Sequence, residues 1–226
     1  MKRHFLILFL FGALSLQAQH KPFQFGFQGG VNLGWFKTDI DNYNNEGAQF
    51  GGSWGFVADI FLMENYSFTT GFDVLYLNAE GSYKDSISII NAGSGKIIHG
   101  TITQKIKSKY IQLPFIFTMK TNNIKDKFRI YGQIGYGLGI LLQAKQDNKF
   151  EADEGDYTDE SKGSSYDGFT STRSSLIIGV GVEIPLHKST YIRTGFKFDN
   201  CFVDIVKSDV YKVRSNFIEF KAAVIF

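Results

Sequence analysis

The chain has 226 residues, with 24 Lys and Arg against 22 Asp and Glu, and a single cysteine. So even a charge balance argues against a nucleic-acid binder, which would show a basic excess, and the lone Cys201 excludes an intramolecular disulfide framework. Twenty-three phenylalanines, 11 tyrosines, 24 glycines and only 3 prolines point to sheet rather than disorder.

Lys2 and Arg3 precede an apolar run from Phe5 to Leu16, broken only by Gly12 and Ser15. Leu16-Gln17-Ala18 then offers a small residue for cleavage. The run falls short of the about 20 residues that a spanning helix needs. Residues 1–19 therefore read as a secretory signal peptide. No cysteine follows the run, so no lipoprotein anchor is indicated. Cleavage would remove Lys2 and Arg3 and no acid, leaving 22 bases and 22 acids on residues 20–226. That remainder suits a single domain.

The segments that follow alternate with a period of two, which is the period of a strand. From Phe23 to Phe36, Phe23, Phe25, Phe27, Val31, Leu33 and Trp35 share one face, with glycine, Gln and Asn on the other. A polar loop covers Asp39 to Gln49. The second strand is Phe50 to Leu62, with Trp54, Phe56, Ala58, Ile60 and Leu62 outward. A tight turn at Met63-Glu64-Asn65 leads to the third, Tyr66 to Asn78. Ala79 to Lys105 is a long segment whose isoleucine runs extend a hairpin beyond the membrane. The fourth strand is Ile106 to Lys120, where Pro114 lacks a donor and predicts a local break in the ladder.

The turn Thr121 to Asp126 leads to the most regular stretch, Phe128 to Gln143 (FRIYGQIGYGLGILLQ). Ile130, Ile134, Tyr136, Leu138, Ile140 and Leu142 are expected on one face. Arg129, Tyr131, Gln133, Leu141, Gln143 and three glycines are expected on the other. Asp147 to Thr170 reads as a loop rich in acid, serine and glycine. The sixth strand is Thr172 to Ile184 and Pro185 to Ser189 the turn after it. The seventh is Thr190 to Phe202, Asp204 to Asp209 is a loop, and the eighth is Tyr211 to Phe226.

No amphipathic helix is left to cover eight apolar sheet faces. A sheet that is apolar on one face and small or polar on the other can close on itself and turn its apolar face to lipid. The fold expected is all-β: an eight-stranded antiparallel up-and-down transmembrane barrel over residues 20–226. The near-zero mean hydropathy suits such alternation. Turns after strands two, four and six are short, and connections after one, three and five are long. Short periplasmic turns and longer outer loops are the outer-membrane rule, so both termini are expected in the periplasm.

Parity places charge on the inner face: Asp59, Asp73, Glu183 and Glu219 against Arg129, Arg193, Lys197 and Lys221. An eight-stranded barrel is just wide enough for side chains to fill, and buried charges need partners. The expectation is a paired plug, with an ion path or proton relay as the alternative. Asp59, Arg129, Glu183, Arg193 and Lys221 are expected low in the barrel, and Asp73, Lys197 and Glu219 nearer its middle. Tyr131 and Tyr191 are expected to fill gaps beside glycines. The glycines lie inside strands, without the helix and Lys-Ser/Thr pair of a phosphate loop. Six acids between Glu151 and Glu160 could hold calcium, but their spacing is not that of an EF-hand, and the plain reading is a solvated loop. His20, His99 and His187 fall outside the barrel strands, so no activated serine is indicated. Trp35 and Trp54 read as interface aromatics. No cofactor is expected.

The opening strand FGFQGGVNLGW, the segment KYIQLPFIF (Lys109 to Phe117), the Gln-Ala-Gln that ends the expected signal peptide and the terminal aromatic together resemble the PorT-like outer-membrane β-barrel proteins of Bacteroidota. The resemblance implies Sec export, insertion by the barrel assembly machinery, and an outer-membrane location. It also implies a terminal insertion signal at Phe220 and Phe226, and a link to type IX protein secretion. No catalytic motif comes with it. The function expected is that of a monomeric, non-enzymatic structural or interaction protein, contacting outer-membrane lipid and other envelope or secretion proteins. A lipid-modifying enzyme and a narrow channel remain the alternatives. If the terminal strand is read during insertion, Phe226→Asp lowers the inserted fraction, measured as loss of the heat-modifiable band on gels. Normal insertion of that variant rejects the signal.

Overall fold

The computed structural model describes residues 23–39, 43–91, 94–125, 127–165, 168–187, 189–207 and 212–226. The expected signal peptide and His20 lie outside them. The described residues form nine strands: β1 (Phe23–Thr38), β2 (Tyr43–Met63), β3 (Tyr66–Asn91), β4 (Ser94–Lys120), β5 (Arg129–Ala152), β6 (Thr158–Ser165), β7 (Thr172–His187), β8 (Thr190–Cys201) and β9 (Val213–Ile225). Each pairs antiparallel with its neighbours. β1 joins β9, β4 joins β5 and β5 joins β7, so eight strands close a ring and β6 stands outside it on the upper part of β5.

Closure follows from the sequence pattern. Along β1 the outward Phe23, Phe25, Phe27, Val31 and Leu33 are exposed while Gln24 and Asn32 are buried. The same inversion holds around the ring. Phe196 and Val180 are 60% and 57% exposed, whereas Asp59, Asp73 and Glu183 are at most 1% exposed. In water such a surface would be costly at about 25 cal/mol per Å2. In hydrocarbon it is the favoured face, and the closed ring leaves no strand edge unpaired there. Neighbouring rings cover one another across strands, as in Phe56 with Phe72 at 6.4 Å and Phe196 with Phe220 at 5.3 Å.

The interior is narrow, and glycines make the room. A Cβ on Gly181 would lie 2.5 Å from the Tyr131 hydroxyl and 2.2 Å from the Thr194 carbonyl. Tyr131 thus fills the space that Gly181 and Gly195 leave, as expected. Tyr191 packs instead under the Arg129 guanidinium, 4.8 Å from its ring centre. The β3–β4 ladder is interrupted between Thr69–Ile116 and Asp73–Gln112, and Pro114 lies inside that gap. Gly71, across the gap, has a φ of 142°, a conformation that suits glycine.

Two expectations change. Residues Asp147 to Thr170 are not one loop: β5 continues to Ala152 and β6 pairs back onto it. Their Ser, Thr and charged residues alternate too weakly to show as strands. The long β3–β4 hairpin and the tops of β2, β5 and β6 together form a sheet that rises from one side of the ring. Gln143 is also not inward. A bulge between Lys109 and Tyr110 shifts the β4–β5 register at Leu142. Leu141 keeps its inward side, Ala144 turns toward the inner apolar cluster and Gln143 is left exposed.

The outer mouth is covered. Phe169, Ile205 and Val206 pack with Phe36, Ala79, Ile106 and Cys201 into an apolar cluster. Backbone bonds from Thr170 N to Ile205 O (2.8 Å) and Lys207 N to Gly168 O (2.7 Å) tie the two loops across it. The loop expected at Asp204 to Asp209 is therefore part of a lid as far as Lys207. An epitope tag inserted at Gly155, in the β5–β6 turn, is expected to be labelled on intact cells, and one at Asn65 only after the envelope is opened. The opposite labelling overturns the orientation.

Candidate functional site: a plugged lumen

The inward positions of seven strands bring the charges together in three tiers. The lowest holds Asp59 from β2, Lys120 from β4, Arg129 from β5, Glu183 from β7 and Arg193 from β8. Lys120 Nζ donates to Asp59 Oδ2 at 3.2 Å and to Glu183 Oε2 at 3.0 Å. Arg193 Nη2 donates to Glu183 Oε2 at 2.8 Å and also to Asp59. Arg129 Nη2 lies 2.9 Å from Glu183 Oε1. Thr69 Oγ1 donates to Asp59 Oδ1 at 2.6 Å. Two carboxylates are thus shared by three bases.

The middle tier joins Asp73, Lys197, Glu219 and Lys221. Lys221 Nζ reaches Asp73 Oδ2 at 2.5 Å, and Lys197 Nζ reaches Glu219 Oε2 at 2.7 Å. Gln28 Nε2 donates to Asp73 at 2.8 Å, and Ser53 donates to Glu219. The upper tier is the Arg173–Asp199 pair at 2.5 Å, both fully buried. Gln112 Nε2 donates to Asp199 at 2.6 Å, and Arg173 donates to the Ser215 hydroxyl and carbonyl at 3.1 and 3.0 Å.

All eight expected charges are in this network. Lys221 is a correction: it belongs to the middle tier with Asp73, not to the low one. Strand tilt and stagger in a barrel set its height, and counting from a strand end ignores both. Lys120, Arg173 and Asp199 were not anticipated. Each has the inward parity of its strand, so the signal was present at positions next to the strand ends.

A cavity of about 40 Å3 lies between the two lower tiers, lined among others by Asp73, Tyr131, Gln133, Arg193, Lys197 and Lys221. It has room for roughly three waters at about 10–15 Å3 each. The inner charges pair with each other and leave only this small void between the tiers.

The other singled-out residues lie elsewhere. Trp35 stacks on Phe198 at 6.3 Å near the top of β1. Trp54 faces Gly29 midway along β1 and is exposed. Phe220 and Phe226 are outward, and Phe226 N donates to Phe25 O at 2.7 Å, closing β9 onto β1. His99 is a correction. It sits on the risen part of β4, not in a loop, with Ser86 of β3 as its register partner. In the β5–β6 hairpin, Lys149 and Lys162 pair with Glu151 and Glu160 at 2.5 and 2.8 Å. A hydrogen bond from Lys107 holds the Asp147 carboxyl below its ordinary range. Among the described residues no three acid, His or Cys side chains gather as a metal set.

The upper tier gives the cleanest test of pairing, because it has one acid and one base. Asp199→Asn strands the Arg173 guanidinium and is expected to destabilise the barrel by about 3–5 kcal/mol. Arg173→Met combined with Asp199→Leu is expected to cost less. Urea unfolding from detergent checks this, and equal losses reject the pairing model.

The family model described as outer membrane protein beta-barrel domain matches residues 17–205. No curated protein sequence matches the chain. Among solved structures, Ail of Yersinia pestis is 10% identical, with 91% of this chain and 100% of that one covered and a TM-score of 0.38. OprG of Pseudomonas aeruginosa is 12% identical, with 92% and 97% covered and a TM-score of 0.39. The outer membrane protease OmpT of Escherichia coli is 8% identical, with 90% and 96% covered and a TM-score of 0.38. Likenesses at that level carry no argument about activity. The family model and the closed, inverted sheet place the protein in the outer membrane, and the chain belongs to the outer membrane protein beta-barrel domain family.

Proposed function

We propose that this protein is a non-enzymatic, monomeric structural or interaction protein of the cell envelope. Its barrel is an anchor, and its work is done by the sheet that rises above the membrane. The observation that carries this reading is the lumen. Three tiers of ion pairs fill it, and the Phe169–Ile205–Val206 lid covers its outer mouth. A filled, capped lumen favours an anchor over a conduit. Among the described residues the risen sheet leaves the upper part of β2 and β6 as edges, where another envelope protein can pair or pack. The resemblance to PorT-like proteins of Bacteroidota supports protein secretion as the setting in which that contact is made. Export by a signal peptide and insertion by the barrel assembly machinery belong to the same reading.

Replacing residues 81–104 by a short turn removes the upper β3–β4 hairpin and leaves every tier intact. The shortened protein is expected to insert normally and to lose its cross-links to envelope proteins in cells. Unchanged cross-linking rejects the sheet as the contact surface. Steady single-channel current from the full chain in planar bilayers rejects the plugged anchor.

A further inference from the structure

Four lysines stand together on one sector of the outer surface, just above the apolar belt. On β4, Lys105, Lys107 and Lys109 share a face with Ile111. The bulge at Leu142 brings Lys145 of β5 onto the same face, directly opposite Lys107 in the register. Like charges directly opposite on a sheet are destabilising, with Cβ atoms about 5 Å apart. Lys107 has a carboxylate, Asp147 at 2.6 Å, and Lys105 has Glu80 at 3.5 Å. Lys109 lies over the Tyr76 ring at 5.3 Å, and neither it nor Lys145 has a carboxylate partner among the described residues. The group therefore carries an uncompensated positive charge. Across the ring, β7 and β8 reach the same boundary with the uncharged Thr172 and Asn200.

The height of the group decides what it meets. The outward apolar run of β4 goes from Met119 up to Ile111. Eight rises of about 3.3 Å, tilted by about 40°, give about 20 Å of height. Lys109 is two residues farther, about 25 Å up, where an apolar band of about 25 Å ends. The ammonium groups thus stand at the headgroups of the outer leaflet. Aliphatic stems pack along the apolar surface there while the charged ends reach polar groups.

We infer that Lys107, Lys109 and Lys145 form a binding site for the phosphate of an anionic outer-leaflet lipid. The phosphate supplies the negative charge that Lys109 and Lys145 lack, with Lys107 beside them, and the acyl chains lie along Ile111, Ile140 and Leu142. The site rests on the outward orientation of the long hairpins. Binding in micelles is measured without reference to that orientation, so the two can fail separately.

The test uses the chain folded in detergent micelles and titrated with diphosphoryl lipid A, with bound lipid counted by native mass spectrometry. Lys107→Gln with Lys145→Gln is expected to bind about twenty-five-fold more weakly, from about fivefold per lysine. Lys109→Gln alone is expected to bind about fivefold more weakly. Lys149→Gln with Lys162→Gln removes the same charge higher up and is expected to bind as the parent does. Heat-modifiable mobility checks that each variant is folded. Phosphatidylcholine is expected to bind the parent and the double variant alike. Equal lipid A binding by the parent and the Lys107/Lys145 variant overturns the site. So does an equal loss in the Lys149/Lys162 variant, which would mean general charge attraction. Displacement of the lipid by millimolar inorganic phosphate also overturns it, by showing a free-phosphate site.

Discussion

A charged side chain taken from water into a barrel interior loses several kcal/mol of solvation, and only close partners restore it. The interior of this ring holds five acids and six bases, and each has an opposite charge within hydrogen-bonding reach. The partners come from different strands. Asp59 of β2 meets Arg193 of β8 across the lumen, and Asp73 of β3 meets Lys221 of β9. These contacts exist only when the ring is closed and the register is correct. A slip of one residue would turn Arg193 and Lys221 into lipid, at about 2–4 kcal/mol each near the midplane. The network therefore ties register, closure and interior packing together.

That constraint divides the molecule. Below the lid, side chains are committed to filling space: Tyr131 needs Gly181 and Gly195, Arg173 needs Asp199 and Ser215, and Asp199 needs Gln112. Little of this surface is left to recognise another molecule. Above the belt the strands continue as an open sheet, where ion pairs such as Lys149–Glu151 are exposed and individually weak. Change is tolerated there, and contact with lipid or protein is possible. Anchor and working surface are thus separate regions of the same long strands.

Much of this was legible in the sequence because a period of two survives in every strand of the ring. Outward Phe, Val, Leu and Ile gave the strands, and short turns alternating with long connections gave the expected topology. The eight inner charges followed from parity alone. Lys120, Arg173 and Asp199 also lie inside the expected strands with inward parity, so the pattern marks them as inward; it does not mark their partners, which come from other strands. β6 escaped because both of its faces are polar and exposed, so it has no period in hydropathy.

What the sequence determined by itself was the kind of solvent each face meets, since local composition at alternating positions settles that without reference to the rest of the chain. What the tertiary structure decided was who meets whom. Lys221 joins Asp73 rather than the low tier because tilt and stagger, which are properties of the closed ring, set relative heights. Gln143 points outward because a bulge at Leu142, forced by pairing with β4, reverses the alternation. The lid forms because the described parts of the connections after β6 and β8 meet at the same mouth, and Phe169 and Val206 find each other only there. Pairings of this kind join residues far apart in the chain, and no local pattern records them.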